Sequence, residues 1–394
     1  MSLFLNHHIA NHRLHYSEVN ELYISLSLRA LAIGIGGLFV PLFLYDIGYD
    51  LALIAMFYLF AMSMRLPAEL LTAYVIARIG VKHTLITSYV CLIGFFMTTF
   101  LMPVISWAWM LSALFLAFEM AFFWISYHLH ISESRNKDKA STQVGITIIL
   151  RRLFAAIGPL VGGVLAMQYG LEYNLVIAAT LLLIAGYPLL KTPDIRQYLD
   201  IRPKDIKMPR FRREELAHAG QQFTNLVGVY LWPLWLLFIL GQYDQIGFVI
   251  AISIALGIGL TYWVGKLGDR GYNDKLLEIG VSLKVLAHGV RVFSYSFPIA
   301  LLANVINDLS DNFATGPFTE KFYESADTED RFIYILQMNI TGVFAKIAFW
   351  VFVLVATLFF DEIAALQTMF VIAALFAPAM LWVSAKSSSR LIKS

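Results

Sequence analysis

Eleven ionisable side chains stand inside stretches that are otherwise apolar. The cations are Arg29, Arg65, Arg151, Arg152, Lys284, Arg291 and Lys346; the acids are Glu69, Glu119, Asp308 and Asp311. Each would cost about 2.5–3.5 kcal/mol on insertion scales at the centre of a hydrocarbon layer, so a chain that keeps them needs partners or a polar interior. Two kinds of chemistry follow. A carboxylate opposite a cation in a low-dielectric site loses its proton cheaply while the pair holds and regains it when the pair separates, which makes the pair a switch. The surplus of cations over acids, seven against four, suits recognition of an anionic compound.

Spacing sorts these residues. Arg65 and Glu69 lie four apart and share one helix face, where they can pair with each other. Lys284 and His288 share a face with Arg291 close by, an arrangement that suits packing or snorkelling. Glu119 and Arg151 are equidistant in sequence from Arg135, at the centre of the turn between their segments, and Asp308 and Lys346 are equidistant from Asp327; each couple is therefore expected at matching depth. The stretch RRLFAAIGPLVGG places Arg151 and Arg152 about 100° apart on a helix, so one is expected to pair with Glu119 while the other faces the interior. Gly158, Pro159 and Gly162 lie about two to three turns beyond, where small residues let helices approach.

The elements that must position these groups are helices in lipid. The chain has 394 residues, 59% of them hydrophobic and 14% charged, against roughly a quarter charged in soluble domains. Twelve apolar segments are predicted, over 20–45, 51–77, 83–103, 106–130, 140–168, 171–190, 214–240, 245–265, 275–296, 298–322, 331–359 and 363–384. Most are long enough to cross roughly 30 Å of hydrocarbon. The short alternating segments of a porin-like barrel are absent. An all-α membrane protein is expected, without nucleic-acid partners.

Basic residues set the orientation. One set of loops carries Arg78, Lys82, Arg135, Lys137, Lys139, Lys266, Arg270, Lys275, Lys321 and Arg331, while the opposite turns carry Asp46, Asp50, Glu172, Asp244, Asp361 and Glu362 without a Lys or Arg. The positive-inside rule then predicts a multi-pass cell (inner) membrane protein with both termini cytoplasmic. The first nineteen residues lack an apolar core of signal-peptide length, so no cleaved leader is expected. The stretch from Lys191 to Glu215 holds three prolines and eight basic residues and divides six segments from six. The expected organisation is an N-terminal six-helix unit over 1–190, a cytoplasmic linker over 191–213 and a C-terminal six-helix unit over 214–394.

The two halves repeat each other. Aligning Arg78 with Arg270 carries Glu119 onto Asp311 and brings Arg152 to within two residues of Lys346. The second-half loop, Gly265 to Arg270 with Asp269 before the arginine, resembles the loop signature of the major facilitator superfamily. The first-half loop around Arg78 matches only in part, with Ala73 and Ala77 where glycine and aspartate would stand. Gly158-Pro159 with Gly162-Gly163 resembles the motif of that family's drug:proton antiporter branch.

The resemblance implies twelve transmembrane helices in two pseudo-symmetric six-helix bundles and a monomeric carrier working by alternating access, with helices 1, 4, 7 and 10 lining the interior. On those helices the expected solute-binding residues are Arg29, Trp124, Tyr127, Gln222, Asn225, Asn304 and Asn307, joined by Arg151, Arg152 and Lys346 from helices 5 and 11. Glu119, Asp308 and Asp311 are the expected proton-coupling acids. Arg78, Gly158, Pro159, Gly162, Gly265, Asp269 and Arg270 are the expected gating or conformational positions. No GxxxxGK[ST] loop is present, so a proton gradient is the expected energy source and no cofactor or metal is expected. The expected cargo is a small organic solute, with helix 5 suggesting export by proton antiport. Uptake of an organic anion by symport and flipping of a lipid or lipid-linked substrate are the alternatives on the same scaffold. No nucleophile constellation or metal-ligand cluster supports an enzyme.

Overall fold

Asp50, Asp330 and Asp361 each accept a backbone N–H at the start of a helix, from Leu53, Ile333 and Ala364. Those caps satisfy N–H donors that the first helical turn cannot pair internally. In the computed structural model, residues 21–134, 141–191, 212–328 and 330–386 are described, with side chains over 21–130, 150–191, 212–326 and 330–383. They form twelve helices. These are α1 (Glu21–Asp46), α2 (Leu51–Ile79), α3 (Val81–Phe100), α4 (Ala108–Ser134), α5 (Ser141–Tyr169), α6 (Leu171–Leu190), α7 (Arg213–Leu240), α8 (Tyr243–Gly268), α9 (Asn273–Val292), α10 (Phe297–Thr328), α11 (Arg331–Phe359) and α12 (Glu362–Val383).

Ten of the twelve are long and apolar enough to cross a membrane. The other two are α9 and α10, which carry Lys284 and Arg291, and Asp308 and Asp311. Large apolar side chains cover the outward faces, among them Leu160 and Val164 on α5, Leu183 and Ile184 on α6, and Leu256 and Trp263 on α8. A soluble protein rarely exposes so much apolar surface. The chain is a multi-pass membrane protein.

Two joints are a single residue long. Gly80 (φ +91°) links α2 to α3 and Gly170 (φ +106°) links α5 to α6, values that L side chains rarely adopt. α1 tightens into a 3₁₀ turn at Gly37–Phe39, and α7 loosens into a π turn at Val227–Leu231. The π turn directly precedes Trp232-Pro233, where proline has no N–H to continue the α-helical ladder.

Within the first six helices α3 packs on α4 and α6, and α2 packs on α4; within the last six, α9 packs on α10 and α12, and α8 on α10. The two sets meet mainly along α5–α8 and α2–α11. The glycines of α5 make it a two-faced joint. A Cβ on Gly158 would lie 2.8 Å from the Gly34 Cα and 2.9 Å from the Leu31 carbonyl, and one on Gly162 would strike Phe39 and Ile35, so this face is pressed against α1. A Cβ on Gly163 would lie 2.5 Å from the Tyr243 carbonyl and 3.2 Å from the Gly247 Cα, so the adjoining face is pressed against α8.

Gly158→Leu is expected to force α1 and α5 apart at a cost of about 1–3 kcal/mol. Thermal unfolding of the detergent-solubilised protein would show this as a lowered midpoint, and an unchanged midpoint would contradict so close a contact.

Candidate functional site

Burial in hydrocarbon makes an unpaired charge costly, and three of the candidate cations form ion pairs, as do Lys82 and Glu21 at 3.4 Å. Arg29 of α1 donates to Glu119 of α4, with side chains 12% and 4% exposed. The guanidinium also lies 3.5 Å from the centroid of the Phe123 ring, in cation–π geometry. Arg65 and Glu69 pair within α2 at 2.7 Å, both fully enclosed. Lys284 of α9 reaches Asp311 of α10 at 2.5 Å and Asn307 at 3.2 Å, while the Asn307 amide donates to the second carboxylate oxygen of Asp311.

Two expected couples are not formed. Glu119 is taken by Arg29 and not by Arg151, whose exposed side chain meets the Tyr127 hydroxyl at 3.3 Å. Equal distance from a turn fixes depth; it leaves the angle around the helix axis free, and α1 presents its arginine to the face that carries Glu119. Asp308 and Lys346 are likewise apart. Lys346 of α11 is buried within electrostatic reach of Arg65 and Glu69 on α2, with no hydrogen-bonded partner among the described residues. The Asp308 carboxylate faces Gly257 of α8 and the Asn312 amide.

Arg152 supplies the link that spacing missed. Its guanidinium donates to the side-chain oxygen of Asn312 on α10, which also accepts from Thr261 of α8 at 2.7 Å. The Asn312 amide in turn donates to the Asp308 carbonyl at 2.8 Å. A chain of polar groups therefore runs from α5 to α10, joining the first six helices to the last six. Asn312 lies on the polar face of α10, in register with Asn304, Asp308 and Asp311, and that face was its sequence signal.

The remaining positions are spread around this core. Trp124 is partly exposed and packs on Phe123, Tyr127 and His128. Gln222 touches His218 at 3.5 Å, and the Asn304 amide donates to the Val249 carbonyl at 3.4 Å. Asn225 is exposed. Arg78 lies over its neighbour Tyr74, and Asp269 and Arg270 are exposed at the end of α8. Gly265 has open space around it. Arg135, Lys137, Lys139 and the stretch 192–211 lie outside the described residues.

Contacts between the two sets of helices close both ends of this row. At the end bearing the basic loops, the His128 ring nitrogen of α4 meets the Tyr323 hydroxyl of α10 at 2.9 Å, and its ring packs 5.2 Å from Phe322. Ala73, Ile76, Ile125 and Leu129 share a buried apolar cluster there with Phe322, Phe332 and Ile335. At the end bearing the acidic turns, the Tyr45 hydroxyl donates to Glu362 at 3.2 Å, the Leu51 N–H to the same carboxylate at 2.9 Å, and the Tyr243 hydroxyl to Asp46 at 3.3 Å. Between the ends Tyr58 stacks on Trp350 with centroids 4.7 Å apart.

No family model and no curated protein sequence matches the chain. Among solved structures, the nucleoside transporter NupG superposes with a TM-score of 0.63 at 14% sequence identity, over 92% of this chain and 97% of that one. The chain shares its fold with NupG. At that identity the likeness speaks for the fold alone.

Removing either partner of the Arg29–Glu119 pair leaves a buried charge alone, a loss of about 3–5 kcal/mol. Arg29→Met and Glu119→Leu are each expected to lower the unfolding midpoint strongly. The double variant is expected to recover much of the loss, and additive losses in that thermodynamic cycle would deny the pairing.

Proposed function

We propose that the protein is a secondary carrier of the major facilitator type, its twelve helices crossing the membrane as two six-helix halves that rock about the α2–α11 and α5–α8 seams. The observation that carries this is the cationic imbalance at those seams. Lys346 is buried with no hydrogen-bonded partner among the described residues, and Arg152 is held by the neutral amide of Asn312, so neither cation is matched by its own carboxylate. A small organic anion entering between the halves would supply the missing charge. The neutral solutes implied by NupG's name are the competing class, and the excess of buried cations favours an anion over them.

Alternating access requires that cross-half contacts break in turn. His128 with Tyr323 forms the gate at one end, and Tyr45 and Leu51 with Glu362 form the gate at the other. Asp308 is the acid best suited to carry a proton, because Glu119 and Asp311 are each locked to a cation and Asp308 has no cation within ion-pair distance among the described residues. Ionised Asp308 draws Arg152 toward α10; protonation releases Arg152 to the solute. Proton flow and solute binding are thereby linked through one arginine. The direction that helix 5 suggested, export in exchange for protons, is one sense in which this linkage runs.

A thermal-stability screen of the purified protein against carboxylates, phosphate esters, nucleosides and sugars is expected to give its largest shifts with the anions. Shifts confined to nucleosides or sugars would overturn the anion assignment. With a solute so identified, Asp308→Asn in proteoliposomes is expected to retain solute exchange while losing accumulation driven by a pH gradient. Accumulation at the unaltered rate would remove Asp308 from the coupling role.

The gate is tested by bridging cysteines at positions 128 and 323 with a short bis-methanethiosulfonate in a background where Cys91 is replaced by serine. Transport is expected to stop on bridging and to return on reduction. Undiminished transport in the bridged protein would show that these helices do not separate.

A further inference from the structure

Beyond the carrier site, α7 and α9 enclose a group of buried donors that the transport cycle does not use. Arg291 is 0% exposed and its guanidinium lies 4.5 Å from the centroid of the Trp232 ring. Its Nη1 contacts the Nδ1 of His288 at 3.4 Å. An arginine can only donate, so Nδ1 is the acceptor and the His288 proton sits on Nε2. Four buried nitrogens are then left without a partner: Arg291 Nε, Arg291 Nη2, His288 Nε2 and Trp232 Nε1. All four are N–H donors.

The charge points the same way. The described cations here are Lys284 and Arg291, and the acid facing them is Asp311, which is already bonded to Lys284. One positive charge remains unmatched in a dry interior, where an unpaired ion is very costly. The backbone makes room beside it. The π turn Val227–Leu231 of α7 faces this group, and a Cβ added to Gly228 would meet within 4 Å only the unpartnered Nη2 of Arg291, at 4.0 Å. π turns recur where a helix is shaped around a function.

We propose that Arg291, His288 and Trp232 form a binding site for a small inorganic anion, of which chloride is the natural occupant. A water molecule would satisfy some of these donors and leave the charge unmatched. The size follows from the enclosure: Arg291, His288 and Trp232 are each at most 1% exposed, which favours a small ion over an organic solute. All three residues belong to the last six helices, so the site keeps its shape while the halves rock. The ion is accordingly a resident component and not the cargo, and the assignment stands or falls independently of the transported solute.

The experiment is thermal unfolding of the purified full chain, without added solute, in sodium gluconate and in sodium chloride or bromide at constant ionic strength. Halide is expected to raise the midpoint saturably. Trp232→Phe keeps an aromatic face under Arg291 and removes the indole donor; losing a hydrogen bond to an ion is expected to raise the half-saturating halide concentration about tenfold or more. Arg291→Gln is expected to abolish the halide response. A crystal grown in bromide would place an anomalous peak beside Arg291 Nη2. Equal midpoints in gluconate and halide, or a full response in both variants, would overturn the site and leave buried water as its occupant.

Discussion

A charge surrounded by hydrocarbon has no water to fall back on, and the arrangement of this molecule follows from how each buried ion is matched. Arg65 with Glu69, Arg29 with Glu119, and Lys284 with Asp311 are closed pairs that tie a helix to itself or to a neighbour within the same six helices. Such pairs need not open for the protein to move. Of the ions left over, Lys346 and Arg152, beside the acid Asp308, lie at the junction of the two sets, while Arg291 lies within the last six helices. In the carrier proposed above, the matched charges hold the rigid parts together, and the two unmatched cations at the junction lie where motion and ligand would change their partners.

Closed pairs alone would make an inert bundle, so the proposed carrier needs seams that can also slide. α5 meets this requirement by lacking side chains where it touches α1 and α8. With backbone against backbone at Gly158, Gly162 and Gly163, the contact has little interdigitation to unlock. The doubled arginines sit about two to three turns from these glycines, so in the proposed carrier a small tilt about the glycine contact would move them appreciably. Arg152 is the one that would report such a tilt, because its partner Asn312 lies across the junction. Arg151 points outward to Tyr127 within the first six helices.

Much of the fold was legible in the chain because hydrocarbon imposes a length and a composition on anything that crosses it. The helix positions follow from runs of apolar residues, and the Arg65–Glu69 pair follows from spacing within a single helix. Pairing between helices did not follow. Depth can be counted from a turn, but rotation about the axis cannot, so Glu119 was matched to Arg151 when α1 offers Arg29. Asn312 was visible as part of the polar face of α10, yet its contact with Arg152 depends on how closely α5 and α10 approach. α9 and α10 were legible too, over 275–296 and 298–322, although the charges they carry make them the least hydrophobic of the spans.

The burial of α9 shows why the position of a charge in sequence is a poor guide to its surroundings. A support helix at the edge of a bundle would be expected to send Lys284 and Arg291 toward a membrane surface, where long side chains reach water at little cost. Here Lys284, His288 and Arg291 all turn inward and are enclosed. The inward turn of Lys284 is explained by Asp311, and that of His288 by its contact with Arg291. The acid facing Arg291 among the described residues is Asp311, and that carboxylate is already bonded to Lys284. Stacking on Trp232 offsets only part of its desolvation, because a cation–π contact is worth about 2 kcal/mol even when dry. The fold keeps a full charge at a place where its own side chains do not neutralise it, which is intelligible if the missing half of the interaction comes from solution.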